Sequence, residues 1–180
     1  MKVFVFLADG FEEIEAIVPI DIFRRAGIET TIVSISNNKL VSVAHDIIVM
    51  ADSIFKETDF SEIDLLYLPG GMPGTRNLDE HVELKKLIQL QADGNKKIAA
   101  ICAAPSVLGK MDLLTGKEAI CYPGFEDKLY GALLSKEKMV KSGNISTAKG
   151  AGVALKFALK LVEDLKGKET ADKIAESIQL

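Results

Sequence analysis

Lys97-Ile98-Ala99-Ala100-Ile101-Cys102-Ala103-Ala104-Pro105 runs from an apolar strand pattern into a turn of small residues and then a proline. Proline suits the first turn of a helix, because the N–H it lacks has no partner there. The stretch therefore reads as strand, turn, helix, the unit from which parallel α/β sheets are built. Ala100 and Ala104, two positions either side of Cys102, leave room for the sharp turn of a nucleophile elbow, written G-x-S-x-G where the nucleophile is serine. A thiol at such a turn faces the amides and positive end of the following helix, which lower its pKa and favour the thiolate. The other reading of Cys102 is a small buried hydrophobe, as most free cysteines are.

The same alternation extends in both directions. Short apolar runs at 3–8, 30–35, 47–51, 65–68, 98–101, 119–122 and 145–147 predict strands. Between them, 12–26 reads as a helix closed by Gly27, with a kink at Pro19, and 82–92 and 106–114 follow as helices. Val153, Phe157, Leu161 and Leu165 recur every four residues, the stripe of a helix packed on the sheet. Asn37-Asn38 resembles a turn, which makes 40–44 a candidate hairpin beside the main sheet. With no repeat or linker in view, 1–180 reads as one α/β domain, a parallel sheet covered by helices on both faces.

Composition narrows the function. Of 180 residues, 48% are hydrophobic and 27% charged, too apolar for a disordered chain. The 22 Lys and Arg against 26 Asp and Glu give a formal charge of −4, which argues against a nucleic-acid or anionic-membrane binder. The opening run Val3 to Ala8 is too short for a signal sequence and no other stretch approaches a membrane span, so the chain reads as soluble and cytoplasmic. Cys102 and Cys121 have no C-x-x-C spacing and suggest free thiols in a reducing compartment.

Three further segments could carry chemistry. Leu68-Pro69-Gly70-Gly71-Met72-Pro73-Gly74 follows a strand, and its glycines either let backbone amides approach a ligand or simply make a tight turn. Its spacing is neither of the phosphate-binding glycine fingerprints. In Ala8-Asp9-Gly10-Phe11-Glu12-Glu13-Ile14-Glu15, the first two glutamates read as complements to a helix dipole. Glu15, flanked by Ile14, Ala16, Ile17 and Val18, is instead a candidate inward carboxylate with a raised pKa, able to shuttle a proton. His45 and His81 lack metal-ligand spacing, and His81 reads as a solvated surface residue. Lys149-Gly150-Ala151-Gly152 reads as a turn into the last helix.

Four pieces, A-D-G-F-E-E-I-E-A at 8–16, L-P-G-G at 68–71, A-A-I-C-A-A-P at 99–105 and S-T-A-K-G-A-G at 146–152, resemble in type, order and spacing the ThiJ/PfpI superfamily. Within it they are similar to the branch of the parkinsonism-associated protein deglycase and its bacterial relatives. The resemblance implies a flavodoxin-like three-layer α/β/α sandwich, usually a homodimer, with Cys102 as elbow nucleophile, Glu15 as the acid hydrogen-bonded to it, and the amides of Gly71 and Ala103 as the oxyanion-binding pair. Gly70, Tyr122 and His45 are candidates for accessory roles: Tyr122 stands where some relatives have a histidine, and His45 near an arginine that in some relatives reaches the partner subunit's site. Ala151 replaces a common proline. No histidine follows Cys102 at all, so peptidase and glutamine amidotransferase arrangements are disfavoured.

What remains is a Cys-Glu pair. The resemblance implies an enzyme acting on a small aldehyde or glycated substrate, a glutathione-independent glyoxalase or deglycase-like activity needing no cofactor or metal. The reading from a different class is an oxidative-stress sensor or protein-protective factor working through oxidation of Cys102.

Overall fold

The computed structural model describes residues 1–180. Its main sheet uses β1 (Lys2–Leu7), β2 (Glu29–Ser34), β5 (Ser53–Ile54), β6 (Leu65–Leu68), β7 (Lys97–Ile101), β10 (Met139–Ser142) and β11 (Ile145–Ala148). They lie in the order β10-β11-β7-β6-β1-β2-β5, all parallel to their neighbours except the edge strand β10. Because side chains alternate along a strand, each central strand feeds two cores. Val3, Val5, Leu7, Leu65, Tyr67, Ala99 and Ile101 face one, while Phe4, Phe6, Leu66, Leu68, Ile98 and Ala100 face the other.

Helices α1 (Glu13–Arg25), α5 (Ala154–Lys166) and α6 (Lys168–Ser177) supply the first core with Ile22, Phe23, Phe157, Leu161 and Ile174. On the opposite face, α2 (Gly74–Glu80), α3 (Val82–Asp93) and α4 (Pro105–Lys110) contribute Leu78, Leu84, Ile88, Val107 and Leu108. Each fully buried side chain of this size contributes about 1.5–3 kcal/mol. The result is a flavodoxin-like sandwich whose strand order reverses between β1 and β6, and ligands bind beyond the carboxyl ends of strands at such a reversal. There the two loops are tied together: Glu12 N–H donates to Gly70 C=O at 3.0 Å and Gly74 N–H to Gly10 C=O at 3.1 Å.

Several expectations need correction. The run at 47–51 is not a sheet strand: β4 (Ile48–Met50) pairs antiparallel with β3 (Leu40–Ser42) in a separate hairpin. Of 119–122 only the start is extended, β8 (Glu118–Ala119), paired with β9 (Leu133–Leu134) in a two-stranded ribbon that leaves Cys121 in a loop. The helix expected at 106–114 ends at Lys110. β5, β10, α2 and α6 lack a long apolar period because each buries few residues, only Ala171 and Ile174 in α6. No helix is long and apolar enough to cross a membrane.

Candidate active site

The chain leaves β7 through Cys102, whose φ of +65° lies in the left-handed region that costs a non-glycine residue roughly 1–2 kcal/mol. Two backbone bonds hold it there. Its N–H donates to Ala148 C=O at 2.9 Å, and its carbonyl accepts from Tyr122 N–H at 2.7 Å. Pro105 then opens α4, so the strand, elbow and helix expected from the sequence are all formed.

Glu15, one turn into α1, is 1% exposed and points beneath the elbow. Its Oε2 accepts from Gly70 N–H at 3.0 Å, and its side chain also bonds Cys102 and the Ala151 amide. Tyr67, buried on β6, donates its hydroxyl to the Glu15 carbonyl at 2.8 Å and so fixes the backbone that carries the acid. Burial pushes Glu15 up to about 7, against the pull of its bonds with Cys102 and Gly70. Burial, and after it the charge and hydrogen bond of Glu15, pushes Cys102 up to about 12, although the Gly71 and Ala103 amides that bond the sulfur act the other way. The Gly71 and Ala103 amides thus pull toward the thiolate, as the sequence suggested, while desolvation and the adjacent carboxylate push the other way. Groups this close titrate as a pair, and between about 7 and about 12 the pair holds one proton.

Cys121 differs in kind. It is 1% exposed, and burial with the charges of Glu126 and Asp127 pushes it up to about 12, with no carboxylate bonded to its sulfur to take the proton. Brief iodoacetamide treatment at neutral pH is expected to alkylate Cys102 and spare Cys121. Equal or faster labelling of Cys121, read by mass spectrometry, would reverse that ranking.

Gly70 is the wedge between acid and thiol. A Cβ added there would lie 2.6 Å from Cys102 Cβ, 2.7 Å from Glu15 Oε2 and 2.8 Å from Ile101 C=O, and two of those groups cannot swing away. Gly71, with φ +90°, uses the left-handed region to turn its amide toward the sulfur. Gly70→Ala is expected to lower Tm by about 5 °C and slow Cys102 alkylation or turnover about 10²-fold, through displacement of the pair. An unchanged melting curve and rate would show that the loop accommodates the methyl.

Sulfur and carboxylate open into a cavity of about 370 Å³ lined by Glu12, Gly71, Met72, Ala103, Tyr122, Phe125 and Ala151 as well as the pair itself. Glu12 is thus part of the wall rather than only a dipole partner, and Met72 and Phe125, also in the wall, carry no pattern that singles them out. Tyr122 is half exposed at the rim, in contact with the site. His45 is not brought to Cys102 within this chain: it is exposed on the hairpin, its Nδ1 2.8 Å from Glu13 Oε1, and that hydrogen bond and charge raise its pKa. His81, expected in solvent, accepts the Leu84 N–H at 3.0 Å as the cap of α3 and packs on Phe55 at 4.7 Å.

The fold is flavodoxin-like, with a cysteine at a strained strand-to-helix elbow hydrogen-bonded to a buried glutamate from the first helix. The model of the DJ-1/PfpI family matches residues 1–164, and the chain belongs to that family. It is 35% identical over 176 residues to protein dj-1beta of Drosophila melanogaster, covering 97% of this chain and 94% of that protein. With the glutathione-independent glyoxalase DJR-1.2 of Caenorhabditis elegans it shares 31% over 171 residues, 94% of this chain and 90% of the other. It spans only 40% of DJ-1 homolog B of Arabidopsis thaliana, at 39% identity over 97% of its own length. Among solved structures it is similar to oxidized Toxoplasma gondii DJ-1, with a TM-score of 0.95 and 36% identity over 99% of this chain and 97% of that one.

Proposed function

We propose that the chain is an enzyme acting on small reactive carbonyls without glutathione, with Cys102 as nucleophile and Glu15 as proton shuttle. The observation that carries this reading is the buried Glu15, raised to about 7 and hydrogen-bonded to the elbow thiol. With the proton on Glu15, the thiolate adds to the aldehyde carbon of a 2-oxoaldehyde such as methylglyoxal. The carbonyl electron pair moves to oxygen, where the N–H groups of Gly71 and Ala103 stabilise it and Glu15 protonates it, giving a hemithioacetal. Glu15 carboxylate then takes the proton from the former aldehyde carbon as the electron pair moves to the ketone oxygen, which is protonated to give an enediol. A proton returned to the adjacent carbon, with loss of the proton on the hemithioacetal hydroxyl, leaves a thioester of a 2-hydroxy acid. Water cleaves the thioester and restores the thiol, so methylglyoxal plus one water becomes lactic acid.

The relative named a glutathione-independent glyoxalase supports this chemistry. Purified protein is expected to convert methylglyoxal to lactate with no added thiol, followed by NMR, and the absence of lactate would sink the reading. The oxidized state named for the Toxoplasma gondii relative favours a second reading. In that case Cys102 thiolate is oxidised by two equivalents of peroxide, each reduced to water or hydroxide, to a sulfinate that receives a hydrogen bond from protonated Glu15. Peroxide consumption without aldehyde turnover selects it.

The proposal extends to assembly. Ile20 and Phe23 of α1 are buried in this chain, but Ile14 and Ile17 stay exposed, and so do Ile47, Ile48 and Met50 on the hairpin that His45 ties to α1. An isologous homodimer covers that surplus. Sedimentation velocity at micromolar concentration is expected to show a species near twice the 19.5 kDa chain mass. A single species at the chain mass would refute it.

A further inference from the structure

Beyond Tyr122 and Ala151, which wall the Cys102 cavity, a second depression of about 410 Å³ begins, walled by the same two residues and by Pro123, Lys138, Lys149 and Gly150. The two depressions share a wall: Cys102 lines one, and Lys138 and Lys149 line the other. The lysines are brought together by the backbone, since Lys149 N–H donates to Lys138 C=O at 2.9 Å just past the antiparallel pairing of β10 with β11. Like charges placed opposite each other across a strand pair repel. Neither ammonium is within salt-bridge distance of a carboxylate, so both charges are free to meet an anion. The inner lobe has the opposite character, with Glu12 and Glu15 in its wall.

We infer that the outer lobe is an anion subsite, and that the carbonyl compounds this protein takes carry a carboxylate or phosphate beyond the reacting aldehyde. The field along the groove orients such a molecule: the glutamates repel its anionic end, the lysines hold it, and the uncharged carbonyl is left facing Cys102. The two lobes together also exceed what a three-carbon aldehyde fills. As a statement about substrates this rests on the carbonyl reading of Cys102. As a statement about binding it does not.

Alkylation separates the two. The rate at which 4-(iodoacetamido)benzoate labels Cys102, divided by the rate for neutral N-phenyl iodoacetamide, is expected to be about fivefold at low salt and to fall toward one in 0.5 M NaCl. Lys138→Gln with Lys149→Gln should bring the ratio to about one, and Lys136→Gln with Lys156→Gln, the same charge change outside the groove, should leave it in place. Protection by benzoate compared with phenyl phosphate reports which anion is preferred. A wild-type ratio near one, or a ratio untouched by the double substitution, overturns the subsite. In turnover, kcat/KM for 4-carboxyphenylglyoxal relative to phenylglyoxal should follow the same ratio. If the alkylation preference is present and neither aldehyde reacts, the subsite stands and the carbonyl reading falls.

Discussion

Cys102→Ser is expected to lower methylglyoxal turnover by at least about 10³-fold while keeping the fold and the protein's assembly. Serine matches the thiol closely in shape, and the backbone bonds from Ala148 and Tyr122 that hold φ at +65° do not involve the side chain. What changes is acidity. A carboxyl raised to about 7 exchanges a proton with a thiol, but it is far too weak a base to ionise an alcohol. The hydroxyl also gives a hemiacetal in place of a hemithioacetal, so no thioester forms and the internal proton transfer has no activated product. Near-normal melting with turnover within tenfold of wild type would mean that Cys102 does not attack the substrate.

Glu15→Gln should produce the second largest loss, about 10²- to 10⁴-fold in turnover, the range for removing a general acid–base group. Gln keeps a donor toward the sulfur and most of the shape, but it can neither accept nor return a proton. Two pH profiles distinguish that role from a structural one. In the wild type, alkylation of Cys102 by iodoacetamide should rise as pH passes about 7, where the pair gives up its first proton and the thiolate form becomes accessible. In Glu15→Gln that step should vanish, and Cys102, freed from the carboxylate charge, should ionise in one step below about 12.

Stability should move in the opposite direction. A carboxyl raised from its ordinary 4.5 to about 7 by burial contributes stability that is fully present below the unfolded value and lost as pH rises through the folded one. The wild type should therefore lose about 3 kcal/mol between those values, and Glu15→Gln should lack this loss. A variant that turns over methylglyoxal at the wild-type rate would reduce Glu15 to an acid near a helix end.

Much of this protein is legible in its sequence because strand periodicity and elbow chemistry are local. Phe4 and Phe6 alternate with Val3, Val5 and Leu7, and that alternation already assigns them to opposite faces of a sheet. The small residues around Cys102 and the proline at position 105 specify the elbow within nine residues. Glu15 is recognisable as unusual because it is a carboxylate amid apolar neighbours. Short elements such as β8 and α6 are not legible in the same way, since each is held by only one or two buried side chains.

Tertiary structure alone decided how the pieces meet. The strand order brings residues 15, 70, 102 and 151 to one place, and only that convergence sets the desolvation that raises both Glu15 and Cys102. It also makes Gly70 a steric requirement rather than a flexible turn, leaves His45 with Glu13 instead of with the thiol, and sets Lys138 beside Lys149 along the groove. The sequence determined which residues could do chemistry, because residue type and local pattern are written along the chain. Their acidity and their partners were decided by packing between distant segments, because burial and electrostatic contact depend on distance in space.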